Sequence, residues 1–355
     1  MKKTKKNKSR NRRILEWSLA IVLDIMLIVG VWQGYRLFEQ NFVSKDGEEH
    51  LIYIYPETTV DALVQQLEQD YRIASPFCLR LHAKLMKWPG ERQYARTGCY
   101  RMPVRSGNLQ VIRMFRNGQQ TPIELSFRNI RTKGQLSARL AEQLMLDSAT
   151  IATRLDDAEW LKQYDLNPAT SVCLFLPNTY EMYWDISLDG LFKKMYGVYR
   201  DYWNDTRLAL ANSLGFTPSE IATIASIVEE ETNKDVDKPI IAGLYMNRLR
   251  IGMPLQSCPT VKFALQDFKL RHILNRHLEV QSPYNTYKNP GLPPGPIRIP
   301  TAKTMDYVLH PTKSNYLFMC ASDKFDGTHH FSSNYAQHAA YARDYQRALN
   351  RRGIK

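Results

Sequence analysis

An α+β fold is predicted for this 355-residue chain, and three observations predict it. An apolar run of helix length follows a basic N-terminal arm. Strand and helix periodicities alternate over residues 50–125. From residue 126 helical periodicity dominates, and past 254 it gives way to proline- and glycine-rich loops. The expected organisation is a basic arm (1–13), a transmembrane helix (14–38), a polar linker (39–49), a small α+β module (50–125) and a mixed helical and loop-rich domain (126–355).

The net charge of +13 suggests a nucleic-acid partner until the charge is located. The opening MKKTKKNKSRNRR carries eight Lys and Arg and no acid, leaving about +5 for the remainder, so no nucleic-acid partner is expected. Behind it, WSLAIVLDIMLIVGVWQGY runs from Trp17 to Tyr35. At about 1.5 Å per residue it would span roughly 28 Å, close to the hydrocarbon thickness of a bilayer. The run is too long for the apolar region of a cleaved signal peptide, and no small-residue cleavage site follows it. The basic arm should stay in the cytoplasm, which places everything after Phe38 on the outer side of the cytoplasmic membrane. Asp24 opposes insertion by about 2.5–3.5 kcal/mol, which the surrounding apolar residues can absorb. The five cysteines, Cys78, Cys99, Cys173, Cys258 and Cys320, contain no CxxC pair and read poorly as a disulfide framework or a zinc site.

In the module, LIYIYP reads as a strand. The following TTVDALVQQLEQ places Val60, Leu63, Val64 and Leu67 at i, i+3, i+4 and i+7 of a helix entered through Thr58 or Thr59. GCYRMP and NLQVIRMFRNGQ form a second such pair, with Leu109, Ile112 and Phe115 on one face. Helices are then expected in QLSARLAEQL, IATRLDDAEWLKQY and DGLFKKMYGVYRDYWNDTRLALANSLG. The aromatic residues of the last, Tyr196, Tyr199, Tyr202 and Trp203, suit core packing or a sugar-facing surface better than stacked bases. The rigid loops past 254 are of the kind that builds a site.

One helix carries candidate chemistry. In TPSEIATIASIVEEET, Thr217 can take the N-cap, Pro218 the first helical position, and Glu220 completes a capping box. Projection at 100° per residue puts Ile221, Ile224, Ala225 and Val228 on an apolar stripe. Glu229 falls at the edge of that stripe beside Ala222 and Ala225, Glu231 at the opposite edge near Ile224, and Glu230 toward water. A carboxyl against an apolar wall becomes a better general acid. The projection favours Glu229 over Glu231 and leaves a merely solvated helix end open.

These residues carry a resemblance. ASIVEEET, then AGLYMNRLRIGMPLQSCPTVKFAL, SPYNTYKNPGLPPGPI and DGTHHFSSNYAQH, with agreeing spacing from the apolar run to about Tyr345, resemble the endolytic murein transglycosylases, the YceG-like family. The resemblance implies a LysM-like module at 50–125 and Glu229, the first glutamate of its string, as the catalytic acid. It implies substrate-binding roles for Gln256, Thr260, Ser282, Tyr284, Asn285, Thr286, Tyr287 and His329, with Pro259, the 291–297 loop, Phe331 and His338 completing the motifs. The implied reaction cleaves the β-1,4 bond between N-acetylmuramic acid and N-acetylglucosamine inside glycan strands, leaving 1,6-anhydro ends, without metal or organic cofactor. The implied partners are peptidoglycan strands and cell-wall synthases in the membrane.

Two departures stand out. Val172 and Cys173 replace a Glu-Gly pair of the family, which puts one subsite in doubt, and Ile299-Pro300-Thr301 replaces Asn-Pro-Gly. Neither is expected to touch Glu229. The rival readings are a hydrolase with a second carboxylate, Glu231 or Asp326, and a non-catalytic glycan-binding scaffold.

Overall fold

The computed structural model describes residues 17–32, 34–35, 41–89, 93–270 and 272–353. The basic arm lies outside these residues, as do the ends of the expected membrane helix. Residues 17–32 form helix α1, whose apolar side chains, Trp17 and Leu27 among them, are exposed. Among the described residues no helix is long and apolar enough to cross a membrane. The fold is mixed α+β, divided into two compact units.

The first unit runs up to Ile123 and includes 181–185. Its elements are β1 (Phe42–Ser44), β2 (His50–Ile54), α2 (Val60–Asp70), β3 (Tyr71–Ile73), α3 (Pro76–Leu85), β4 (Gly98–Met102), β5 (Arg105–Ser106) and α4 (Asn108–Asn117). The two expected strand–helix pairs are present, and Thr59 caps α2 by accepting from the Ala62 amide. The linker reading of 39–49 fails at 42–44. There β1 lies between β3 and β5, antiparallel to both, and Phe42 is fully buried. Two adjacent apolar residues, Phe42 and Val43, among polar neighbours hide a three-residue strand from periodicity. β2 pairs antiparallel with β4, and their inward side chains Ile52, Ile54, Tyr100 and Met102 pack with Leu63, Leu67, Ile112 and Phe115 from α2 and α4. Buried polar groups are matched: Tyr71 Oη donates to the Met102 carbonyl at 2.7 Å, and Asn41 Nδ2 donates to Asn108 Oδ1 at 2.6 Å.

The second unit comprises 124–180 and 186–355. After β6 (Ile123–Ser126), which pairs with β7 (Thr179–Met182), come α5 (Lys133–Ala141), α6 (Ser148–Asp156) and α7 (Ala158–Leu161). α8 (Leu188–Tyr202) and α9 (Asp205–Leu214) follow. Two helices expected as continuous are broken by capping side chains. Asp157 ends α6 and caps α7 through the Trp160 amide, and Asn204 starts α9 by accepting from Arg207. Short polar side chains stabilise a helix start more than they stabilise an interior. α10 (Pro218–Glu231) is the central helix of this unit and packs against α9 and three later helices: α11 (Lys238–Arg250), α12 (Cys258–Leu265) and α14 (Ala302–Leu309). The loop-rich stretch also holds the short α13 (Asn275–Leu278), the antiparallel hairpin β8 (Phe318–Ala321) with β9 (His329–Ser332), and α15 (Tyr335–Arg351). All five cysteines are free.

Candidate active site

Helix α10 begins as its sequence dictates. The Thr217 hydroxyl accepts from the Glu220 amide, the Glu220 carboxylate accepts from the Thr217 amide, and Pro218 occupies the first turn. Ile221 to Val228 are then buried without interruption, on every side of the helix. An apolar stripe with a wet back does not describe such a helix. Ser226 shows the consequence: fully buried, it donates to the Thr223 carbonyl and accepts from the Ile297 amide at 3.0 Å, pinning the proline-rich loop along α10. Gly295 lets that loop in, because a Cβ there would run into the Ala169 carbonyl. Thr232, in extended conformation, ends the helix, so the three glutamates leave its last turn in different directions.

Glu229 and Glu230 enter an arginine cluster. Arg298 Nη2 lies 3.2 Å from Glu229 Oε1, and Glu229 Oε2 accepts from the Thr301 amide and hydroxyl at 2.9 and 2.8 Å. Thr301 is also the N-cap of α14, so Glu229 fastens that helix start to α10. Both oxygens of Glu229 have partners, and its side chain is 9% exposed. The expectation that the Ile-Pro-Thr departure leaves Glu229 untouched is therefore wrong. Glu230 does not point to water either. Arg131 grips it with two bonds of 3.1 Å, and Arg298 Nη1 approaches to 2.8 Å.

Glu231 meets different chemistry. Its Oε1 accepts from Tyr245 Oη at 2.7 Å and from Ser257 Oγ at 2.5 Å. Desolvation pushes its pKa up, and the two hydroxyl bonds, with His329 and Lys262 at longer range, offset only part of that rise. Both bonds fall on Oε1, which leaves Oε2 as the oxygen able to carry a proton. The residue lines a cavity of about 320 Å³ with Tyr245, Arg248, Gln256, Tyr287 and His338. Arg248 is buried, donates through Nε and Nη1 to the carbonyls of Leu317, Pro254 and Leu255, and burial pulls its pKa down. It sets a positive field at the cavity without neutralising the acid through a direct bond. Burial and Arg248 likewise hold the His338 pKa down.

The other expected site residues fall into three groups. Gln256 and Tyr287 line the cavity, with Tyr287 Oη 3.3 Å from Cys258 Sγ. Thr260, Asn285 and Thr286 are buried and act one layer back. Thr286 Oγ1 accepts from the Ser257 amide at 3.0 Å and bonds Thr260 Oγ1 at 2.8 Å, which fixes the serine that holds Glu231. Asn285 Nδ2 donates to the Leu278 and Val280 carbonyls, and its Oδ1 accepts from the Tyr287 amide, which bends the loop toward the cavity. Ser282 and Tyr284 do not line the cavity. Ser282 Oγ accepts from the Tyr284 amide, and the Tyr284 ring packs on Phe263 at 4.7 Å. His329 pairs through Nδ1 with buried Asp237 at 2.9 Å and lies close enough to act on Glu231. Tyr245, Arg248, Ser257 and Asp237 were not anticipated. The signal for the first two lay in AGLYMNRLR, where a tyrosine and an arginine at i and i+3 sit inside an otherwise buried helix.

A helix-end carboxyl whose pKa burial raises, beside a cavity, is the arrangement that general-acid chemistry uses. Residues 52–344 match the model of the YceG-like family, and the chain belongs to that family. It is 31% identical over 219 residues to the endolytic murein transglycosylase of Bacillus subtilis (strain 168), across 58% of this chain and 60% of that protein. It is 33% identical over 170 residues to the endolytic murein transglycosylase of Streptococcus pneumoniae (strain ATCC BAA-255 / R6), across 46% of this chain and 30% of that one. The chain thus spans less than two thirds of either relative. The crystal structure of a YceG-like protein from Listeria monocytogenes superposes with a TM-score of 0.52 at 27% identity, covering 82% of this chain and 99% of that one.

Proposed function

We propose that this chain is a lytic transglycosylase that cuts peptidoglycan glycan strands internally, with Glu231 rather than Glu229 as its acid. The observation that carries the reading is a carboxyl with a raised pKa, held by two hydroxyls and no cation, facing a cavity at the end of a buried helix. Neutral Glu231 gives its Oε2 proton to the glycosidic oxygen between N-acetylmuramic acid and N-acetylglucosamine as that bond breaks. The resulting carboxylate, still braced by Tyr245 and Ser257, takes the proton of the muramyl 6-hydroxyl, whose oxygen bonds to C1 and closes the 1,6-anhydro ring. One residue serves as acid and then base. Intramolecular attack replaces a positioned water, with an effective concentration on the order of 10⁵ M or more. Glu231 is the one carboxylate among the residues lining the cavity, which favours this route over a two-carboxylate hydrolase. Asp326, the other candidate, is an exposed loop residue that bonds Thr328.

The same proposal includes the setting. The basic arm and the exposed apolar α1 support a single-pass anchor in the cytoplasmic membrane with the second unit outside, where the first unit serves as a LysM-like glycan-binding module. Contacts with membrane-embedded cell-wall synthases follow from that placement. Digestion of purified peptidoglycan in ¹⁸O-labelled water tests the chemistry. The expected products are unlabelled 1,6-anhydromuramyl ends, lighter by one water than reducing ends; labelled reducing muramic acid would make this a hydrolase.

A further inference from the structure

A second cleft, of about 1210 Å³, lies in the same unit and shares no lining residue with the Glu231 cavity. It reaches α10 at its opposite end. Ser219 lines the cleft while Glu231 closes the helix, so about 18 Å of helix separates the two.

Four aromatic rings run along the cleft in a continuous row. Tyr196, Tyr199 and Trp203 recur at i, i+3 and i+7 on α8 and its cap, and Tyr164 joins from the turn after α7. The Tyr164 and Tyr196 centroids are 4.6 Å apart, Tyr196 and Tyr199 stack at 6.3 Å, and Tyr199 and Trp203 are 6.4 Å apart. Tyr202, between them in sequence, instead turns inward to bond Asp306, so the row is not a by-product of a wholly buried aromatic helix. Tyr164, Tyr196 and Tyr199 are all partly exposed.

The charges around the rings narrow the ligand. Asp165, Asp205 and Glu220 line the cleft against one cation, Arg200, whose guanidinium lies 6.0 Å from the Tyr196 ring. That balance repels phosphate backbones. Flat aromatic faces take the C–H face of a pyranose, and the carboxylates and guanidinium among the many polar lining groups take its hydroxyls and acetamido groups.

We propose that this cleft is a second saccharide site, which grips a β-1,4-linked N-acetylated sugar chain far from the acid and so favours internal bonds over terminal ones. The inference rests on the glycan-cleaving reading for its biological sense, but its test reads binding without turnover. Calorimetric titration of the full chain in detergent with the β-1,4-linked N-acetylglucosamine hexamer should give saturable binding that survives Glu231→Gln. Tyr196→Ala should weaken it at least roughly tenfold, Arg200→Ala should weaken it by a smaller factor, and Tyr196→Phe should leave it near wild type. Arg200 is exposed, so its variant keeps the test decisive should Tyr196→Ala fail to fold. Absence of saturable hexamer binding, or wild-type affinity in both alanine variants, would overturn the proposal. Hexamer binding at the cleft without anhydromuramyl products would sink the enzymatic reading alone; anhydromuramyl products without binding would sink the cleft alone.

Discussion

Glu229 and Glu231 sit two residues apart on one helix. Glu229 meets a guanidinium and the capped start of α14; Glu231 meets two hydroxyls and a cavity. The contrast separates two uses of a carboxylate. A guanidinium partner stabilises charge, which suits fastening chain segments together. Hydroxyl donors in a desolvated pocket leave the neutral form accessible, which suits proton transfer. Sequence neighbours thus meet different partners because the last turn of α10 aims them at different elements.

The largest structural effect should come from breaking the clamp. Arg298→Ala leaves Glu229 and Glu230 largely buried with one cation, Arg131, between them. It should destabilise the fold by about 3–5 kcal/mol, read as a fall in the denaturant midpoint. A loss near zero would mean that the cluster is solvated and that Glu229 is freer than argued.

Tyr245→Phe sharpens the other side of the comparison. It removes a donor that favours the Glu231 carboxylate, so the acid's pKa should rise further. Activity that needs the protonated acid is lost as pH rises through that pKa, so the alkaline limb of kcat/KM should move to higher pH in the variant. An unmoved limb would detach Glu231 from the pH profile.

The smallest effect is thermodynamic. Below the ordinary glutamate value of 4.5, Glu231 is protonated in both folded and unfolded chains. Above it the unfolded chain ionises first, so folding loses ground as pH rises toward the raised native pKa. Glu231→Gln has no such slope, and its Tm should gain on the wild type from pH 4.5 upward. A gap that shrinks over that range would contradict the raised pKa.

Much of this was legible in the sequence. The capping box of α10, the two strand–helix pairs of the first unit and the motif strings that build the cavity wall all announce themselves through local chemistry. The choice among the glutamates did not. Helical projection assumes one wet face, and α10 has none, so projection sends Glu230 toward water where Arg131 and Arg298 stand instead. The partners that decide the matter come from far along the chain. Arg298 and Thr301 lie about 70 residues from Glu229, and Ser257 lies 26 residues from Glu231. Thr260, Asn285 and Thr286 show a related limit, since a polar motif residue in a loop can serve the fold of the site without facing the substrate.

The central claim is that Glu231, and not Glu229, supplies the proton. It is tested by purifying Glu229→Gln and Glu231→Gln, confirming that both are folded at the assay temperature, and measuring anhydromuramyl release from peptidoglycan side by side. Glu231→Gln should lose at least roughly 10²-fold in kcat, while Glu229→Gln, once folded, should stay within about a few-fold of wild type. A folded Glu229→Gln that is inactive beside an active Glu231→Gln would contradict the account.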